Sequence, residues 1–505
     1  MTALKHIISK ALLCCQPSVT EIKKINAVAN DTIKLVDNYS CPKIVDVVFG
    51  GSFAKGTWLK GDADIDIFIK IDPSVNDEEF EKIGKKVGLE SLKSYKAYLR
   101  YSDHPYVEAF VKRIRVNVVP CYNVEKGKWK SAADRSPFHT QYINNNLDEE
   151  KRKQVRLLKK FLKSVGVYGA EIATSGFSGY VAEILILKYG SFQSALQALS
   201  NISGEKNVIS IGKADQDIID SFQGPIVIID PIDPNRNLGA AISAESISKL
   251  VLAARAFLAK PSLDFFREKE KKSAKVSKKL YANLLIVEFS YLKRSPDVIW
   301  GQLKRILSAM SKQLNLADFR VIRSVCITDE ENSAALVFLL ESITLPAYAE
   351  KIGPEIFRRN ATANFISKNK KESLLMWIDR EMKVKSLVKR KATNAKSSCK
   401  RHRNRTTSGA KISSATLALL IVQFHSVPTE VVPPFPPLLS SVRQPLAVLT
   451  MTNLCSKDPL PQREGADRYA TPAGDGLWHI LCRAGRGRLA HRWRAIPQRQ
   501  RVGWR

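Results

Sequence analysis

The chain has no metal-binding cysteine pattern. Its eight cysteines are scattered, with Cys14 and Cys15 side by side, and no CxxC pair or Cys/His cluster falls at the spacing of a tetrahedral zinc site. That argues against structural zinc, and reduced thiols in a cytoplasmic protein are expected. Long apolar runs are missing too. The longest, ATLALLIV at residues 415–422, is far short of a bilayer span. The opening MTALKHIISKALLCC has neither an extended apolar core nor a small-residue cleavage site, so no signal peptide is expected. No membrane partner is expected, and any membrane role would be peripheral. Acid is in short supply: 49 Asp and Glu stand against 80 Lys and Arg, for a formal charge of +31 and a pI near 9.8. Such an excess draws polyanions, nucleic acid first. Charge alone does not separate that partner from a ribosomal or an anionic membrane surface.

What is present is a soluble, mostly globular composition, 44% hydrophobic and 26% charged, over 505 residues, room for about three domains. Helical spacing covers residues 3–38, with PSVTEIKKI supplying a start signal in mid-segment. IVDVVFG reads as a strand running into a glycine turn. DADIDIFIKID follows with period two, placing Ile65, Ile67 and Ile69 on one face and Asp62, Asp64, Asp66 and Phe68 on the other. DEEFEKIGKKVGLESLKSYK reads as an amphipathic helix, and YVEAFV and IRVNVVPCY as strands, the second ended by Pro120. Helices are expected at EKRKQVRLLKKFLKSV, FSGYVAEILILKYGSFQSALQAL and ESISKLVLAARAFLA, and a short strand at PIVIIDPIDPNRN before a proline-punctuated loop. From about residue 280, NLLIVEFSY, ADFRVIRSVCI and AALVFLLES read as strands, with a helix at VIWGQLKRILSAMSKQL. This strand–helix–strand–strand order suggests a small α+β domain, ferredoxin-like or similar. No internal repeat stands out. From about Lys396 the chain turns Ser-, Arg- and Pro-rich and loses periodicity, which reads as disorder. That tail is either a basic arm that helps hold RNA or a stretch never selected as sequence.

The stretch FGGSFAKGTWLKGDADIDIF, residues 49–68, concentrates acid in a basic chain. Three carboxylates on one strand face repel unless a cation sits among them, although an alternating acidic strand is more often a solvated face. The preceding turn changes that balance. Gly50 and Gly51 allow the backbone close to a ligand, and Ser52 adds a hydroxyl to exposed amides, a combination suited to a triphosphate. Carboxylates a fixed distance downstream suit Mg²⁺ bridging to phosphate oxygens, and two such ions about 3.5–4 Å apart would activate an attacking hydroxyl and stabilise a leaving oxygen. Turn and acids together point to nucleotidyl transfer.

Around these residues the blocks GGSFAKGTWLKGDADIDIF, HPYVEAFVKRIRVNVVPCY, SAADRSPFHTQY, VRLLKKFLKSVGVYGAEI, GFSGYVAEILILKYGSF and VIIDPIDPNRN closely resemble, in order, those of the archaeal-type (class I) CCA-adding enzymes. These are tRNA nucleotidyltransferases that build the 3′-terminal CCA from CTP and ATP without a nucleic-acid template. The resemblance runs from near the N-terminus to about residue 395. It implies an α+β architecture: a nucleotidyltransferase head of small mixed sheet and helices over 1–142, a helical nucleotide- and tRNA-binding domain over 143–264, an α+β tRNA-binding domain over 265–395, and the basic tail 396–505. It implies Mg²⁺ as cofactor, CTP and ATP as substrates, and tRNA, gripped at its acceptor and TΨC arms, as partner; a homodimer is compatible with it. By the same resemblance Asp64 and Asp66 match the first two catalytic, metal-binding carboxylates. Ser52 and Lys55 match phosphate contacts, His139, Lys159 and Tyr168 match further triphosphate and sugar contacts, and Arg236 matches an arginine that helps read the incoming base. Singly, each has a plainer reading: a solvated loop charge for Lys55, a polar helix face for Lys159, a surface histidine, a packing tyrosine, and a loop charge closing the Asp233 turn. Their joint order in the family favours the functional one.

One position departs. In IRVNVVPCY the family's third metal-binding aspartate falls where this chain has Asn117. An amide oxygen ligates Mg²⁺ weakly and brings no charge. Losing one transition-state electrostatic contact commonly costs 10²–10³ in rate, about 2.7–4 kcal/mol. Asp62 would compensate only in part, since two residues along a strand put it about 6.5–7 Å from Asp64. Three readings follow: CCA addition to tRNA, a catalytically impaired tRNA-binding homologue, and a poly(A)-type polymerase of the same superfamily. HPYVEAF, VVPCY and SPFHTQY favour the CCA class over the last.

Overall fold

The computed structural model describes residues 2–39, 41–101, 105–213, 215–267 and 283–397. The ATLALLIV run and all but the first two residues of the expected tail lie outside them. The described residues form two compact units, one of residues up to 267 with 294–301, the other of the remainder.

In the first unit, α1 (Thr2–Cys15) and α2 (Val19–Asp37) meet at the Pro–Ser signal, where the Ser18 hydroxyl accepts the Glu21 amide at 3.2 Å and caps α2. Next come β1 (Ile44–Gly50), α3 (Gly51–Ala54), β2 (Asp64–Ile71), α4 (Asp77–Ser91), β3 (Tyr98–Tyr101), β4 (Pro105–Val111) and β5 (Ile114–Tyr122). The strands form one mixed sheet in the order β1-β2-β5-β4-β3, in which β2 and β5 run parallel and the other pairs antiparallel. Ile65, Ile67, Ile69 and Ile71 are fully buried in a core shared with Phe80 of α4, as the period-two pattern requires. Gly88 lets α4 approach closely: a Cβ there would stand 2.5 Å from a Val107 methyl.

Two strand expectations change. β5 runs through Pro120 to Tyr122 instead of ending at the proline. Its pairing with β4 stops at Val118, so only β2 flanks Pro120 and the missing N–H leaves no gap between two ladders. The β2 strand begins at Asp64, leaving Asp62 in the turn before it.

A helical middle follows: α5 (Arg135–Asn146), α6 (Glu149–Val165), α7 (Gly179–Tyr189), α8 (Phe192–Ser200), then β6 (Asn207–Ile209), α9 (Gln216–Ser221), β7 (Ile226–Ile228) and α10 (Ala244–Ala259). Asp148 caps the start of α6 and Gly166, with φ +75°, closes its end. The core of this part centres on Phe161, Phe192, Phe257, Phe265 and Phe266, and it also buries Ala11 and Cys15, so α1 packs on the helices and not on the sheet.

The second unit holds β8 (Leu284–Ser290), α11 (Pro296–Leu316) in its greater part, β9 (Val321–Thr328) and β10 (Ser333–Leu340), then β11 (Tyr348–Glu355), α12 (Arg359–Asn369), β12 (Ser373–Ile378) and β13 (Lys383–Lys389). The strand–helix–strand–strand order expected after residue 280 is present, and it occurs twice. The two sheets are antiparallel, ordered β8-β10-β9 and β11-β13-β12, so each helix connection is followed by a hairpin whose last strand lies in the centre. The repetition is one of topology, which hydrophobic patterning can preserve without repeating residues. Among the described residues no helix is long and apolar enough to cross a membrane.

Candidate active site

The glycine turn and the acids touch. Gly50 pairs with Asp66 across β1 and β2. Gly51 has φ +63°, and a Cβ there would fall 1.8 Å from Asp66 Oδ2. Only glycine fits this position, because both the backbone angle and the carboxylate exclude a side chain. Ser52 follows at once in α3. Parallel pairing of β2 with β5 then sets Asp64 opposite Arg115 and Asp66 opposite Asn117. The Arg115 guanidinium spans Asp64, donating from Nε to Oδ1 at 2.9 Å and from a terminal nitrogen to Oδ2. The Asn117 amide donates to Asp66 Oδ1 at 2.8 Å, while its own Oδ1 is buried without a partner. Burial pushes the Asp66 carboxyl above its ordinary value; the Asn117 donation opposes this and the Asp64 charge adds to it.

A cavity of about 480 Å³ opens here, its wall including Ser52, Asp62, Asp64, Lys159, Lys163 and Tyr168. Lys55, Asp66, Asn117, His139 and Arg236 are not part of that wall. Asp62 cannot supplement Asp64 from a shared strand face, because it precedes β2 and accepts Lys163 Nζ at 2.6 Å.

One stripe of α6 holds the loop between turn and acids. Arg152 Nε donates to the Lys55 carbonyl at 3.0 Å, Arg156 donates to the carbonyls of Gly56 and Trp58, Lys159 to Thr57, and Lys163 to Asp62. Residues 152, 156, 159 and 163 recur at helical spacing, so one face of α6 meets the loop. Sequence reading singled out Lys159 alone; the four-three-four interval of basic residues was the signal for the others.

Lys55 and Lys159 are not solvated. Both ammonium groups bind Glu183 of α7, at 2.8 Å and 2.9 Å, and the Thr57 hydroxyl donates to the same carboxylate while accepting from Lys159. Burial alone would raise Glu183, but Lys159 and Lys55 outweigh it and hold its carboxyl at about 2. Lys55 also stands 5.1 Å from the centre of the Tyr180 ring, which stacks on His139 at 4.0 Å. His139 Nε2 lies 2.8 Å from Asp230, a fully buried carboxylate that also accepts Tyr180 and stands 3.7 Å from Arg236. Burial lowers the His139 pKa more than Asp230 raises it, so the ring is neutral near pH 7 and donates from Nε2. The candidate residues thus form two groups, Ser52, Asp64, Lys159 and Tyr168 at the cavity with the Asp66–Asn117 pair next to Asp64 on β2 and β5, and His139 with Arg236 on Asp230, linked through Lys55 and Tyr180. Glu183, Asp230, Tyr180 and Arg115 escaped sequence reading, since nothing local marks a helical glutamate or a loop aspartate as the partner of distant cations.

For a cation, the donor set is two carboxylates and one amide. Among the described residues no three His, Cys, Asp or Glu side chains gather to hold a metal ion. Beside Asp66, the unpartnered Asn117 Oδ1 is a further hard donor; Glu108, opposite Asn117 on β4, is held by Tyr98 and Arg100.

Three families match in succession: a nucleotidyltransferase domain over residues 34–143, the second domain of tRNA nucleotidyltransferase over 153–267, and the C-terminal domain of CCA-adding enzyme over 282–419. The CCA-adding enzyme of Pyrobaculum neutrophilum is 36% identical over 385 residues, covering 74% of this chain and 88% of that protein. Its counterpart from Pyrobaculum aerophilum is 37% identical with the same coverage. The one from Saccharolobus shibatae is 36% identical over 360 residues, covering 71% and 84%.

Proposed function

The chain belongs to the CCA-adding enzymes, and on that premise we propose that it adds C, C and A to the 3′ end of tRNA from CTP and ATP, without a nucleic-acid template, releasing pyrophosphate. The observation that carries this reading is the contact between the Gly51 backbone and the Asp66 carboxylate, which brings a phosphate-binding turn against the acids. Nucleotidyltransferases of this kind work with a divalent cation, and we assign Mg²⁺. Asp64, Asp66 and Asn117 Oδ1 are hard oxygen donors that would hold one such ion, Arg115 being the present partner of Asp64. Bound there, the ion supplies Lewis-acid charge for the α-phosphate and the attacking 3′-hydroxyl.

The chain's own residues position the rest. Ser52 and the turn amides meet phosphate oxygens, Lys55 and Lys159 offset their charge, and Tyr168 borders the sugar. His139 and Arg236, gathered on Asp230, serve the far end of the nucleotide, Arg236 at the base. Positioning and charge neutralisation account for the catalysis, with no covalent intermediate. We assign the head to residues 1–142, the helical nucleotide domain to 143–264 and the α+β tRNA-binding domain to 265–395. The excess of basic residues grips the acceptor and TΨC arms, so binding weakens as salt rises. The described cysteines, Cys14, Cys15, Cys41, Cys121 and Cys326, are free, in keeping with a cytoplasmic enzyme, and a homodimer fits the same reading.

A second reading, a tRNA-binding homologue with impaired chemistry, is favoured by one observation: Asn117 supplies an amide where a third carboxylate would complete the set. Incorporation of labelled CTP and ATP into tRNA lacking its CCA, with Mg²⁺, decides between them. The expected product gains C, C and one A. Bound tRNA without incorporation, restored by Asn117→Asp, supports the second reading, and continued A addition points to a poly(A)-type activity.

A further inference from the structure

We propose that Glu183 is a positioning residue for triphosphate binding: it ties Lys55, from the loop after the glycine–serine turn, to Lys159, from α6, and so holds the Lys159 ammonium at the cavity wall. The proposal rests on the functional reading above and extends it to a residue outside the cavity wall and outside the proposed metal-ligand set.

The charge count supports it. Glu183 receives both ammonium groups and the Thr57 hydroxyl, and the side chains of Lys55, Lys159 and Glu183 are at most 8% exposed. Two cations on one carboxylate leave a surplus charge with little exposure to water; Asp66 offsets part of the Lys55 charge, and the remainder at Lys159 is costly unless an anion completes it. Lys159 and Thr57 belong to the cavity wall beside Ser52, whereas Glu183 does not. The surplus therefore faces the space next to the turn, and phosphate oxygens are the anion that both turn and cavity suit. Gly179 leaves room for this arrangement: a Cβ there would lie 2.9 Å from the Tyr168 hydroxyl and 3.4 Å from Lys159 Nζ.

The test uses the full chain with Glu183→Gln and Thr57→Val, followed by KM for CTP, kcat at saturating CTP, Kd for tRNA and melting curves. Glu183→Gln is expected to raise KM for CTP about tenfold or more, leaving kcat within about threefold and tRNA affinity unchanged. Thr57→Val, which keeps every charge, is expected to raise it about threefold, and it decides the matter if Glu183→Gln does not fold. An unchanged KM for CTP in the folded variants, or equal losses of nucleotide and tRNA affinity, overturns the proposal. Absence of CTP binding by the unsubstituted chain overturns the functional reading instead, and this inference falls with it.

Discussion

Asn117 donates its side-chain amide to Asp66 Oδ1 at 2.8 Å, from the position directly across the parallel β2–β5 pair. An aspartate there would set two half-buried carboxylates side by side. The amide instead relieves part of the burial penalty on Asp66 and leaves its own oxygen unsatisfied. The exchange favours the cation-free fold and, on the proposed reading, weakens cation binding.

Asn117→Asp is therefore expected to increase CMP incorporation at least tenfold and to lower the Mg²⁺ concentration needed for half-maximal rate. Without divalent cation the same variant is expected to melt below the unsubstituted chain. A Mg²⁺ titration of incorporation, with melting curves with and without Mg²⁺, checks both halves. Equal activity in both proteins would show that the amide oxygen suffices.

Gly51→Ala is expected to abolish incorporation and to destabilise the fold by about 1–3 kcal/mol, since the new Cβ meets both a positive φ and the Asp66 carboxylate. Urea denaturation and the incorporation assay measure the two effects. Wild-type stability would mean that the turn relaxes without cost.

Arg156→Met keeps much of the volume of a buried side chain but deserts the Gly56 and Trp58 carbonyls. A loss of about 2 kcal/mol is expected, with a higher KM for CTP because the loop spans Ser52 and Asp64. Unchanged values in denaturation and kinetics would remove Arg156 from the α6 clasp.

Acid stability follows from two shifted groups. Glu183 sits at about 2 in the fold against an ordinary 4.5, so its contribution is complete above 4.5 and disappears as pH falls toward 2, an effect of about 3 kcal/mol. His139 lies below its ordinary 6.5, so its neutral, buried form is favoured above that value and stability is lost as pH falls below it. Melting temperature is expected to drop in two stages on acidification, and Glu183→Gln is expected to shrink the lower stage, to which the lowered Asp230 also contributes. A single transition unaffected by that substitution would contradict the assignment.

Much of the first unit could be read from local pattern. Period two in DIDIFIKI buries alternate isoleucines whatever else the chain does, and a Pro–Ser pair starts a helix by its own geometry. Pro120 misled because a strand's tolerance for proline depends on which edges its neighbours occupy, and β4 stops short of it. The repeated βαββ order escaped because topology survives while residue identity does not.

By itself the sequence determined the family, the glycine–serine turn and the paired acids, since each rests on residues close together along the chain or in ordered blocks. Tertiary structure alone decided what those residues face. Lys55 and Lys159 share a buried glutamate, His139 and Arg236 share Asp230, and Asp64 is taken by Arg115. Electrostatic partnership depends on distance in space and on exclusion of water, and neither quantity exists until the strands have found their register and the helices have closed over them.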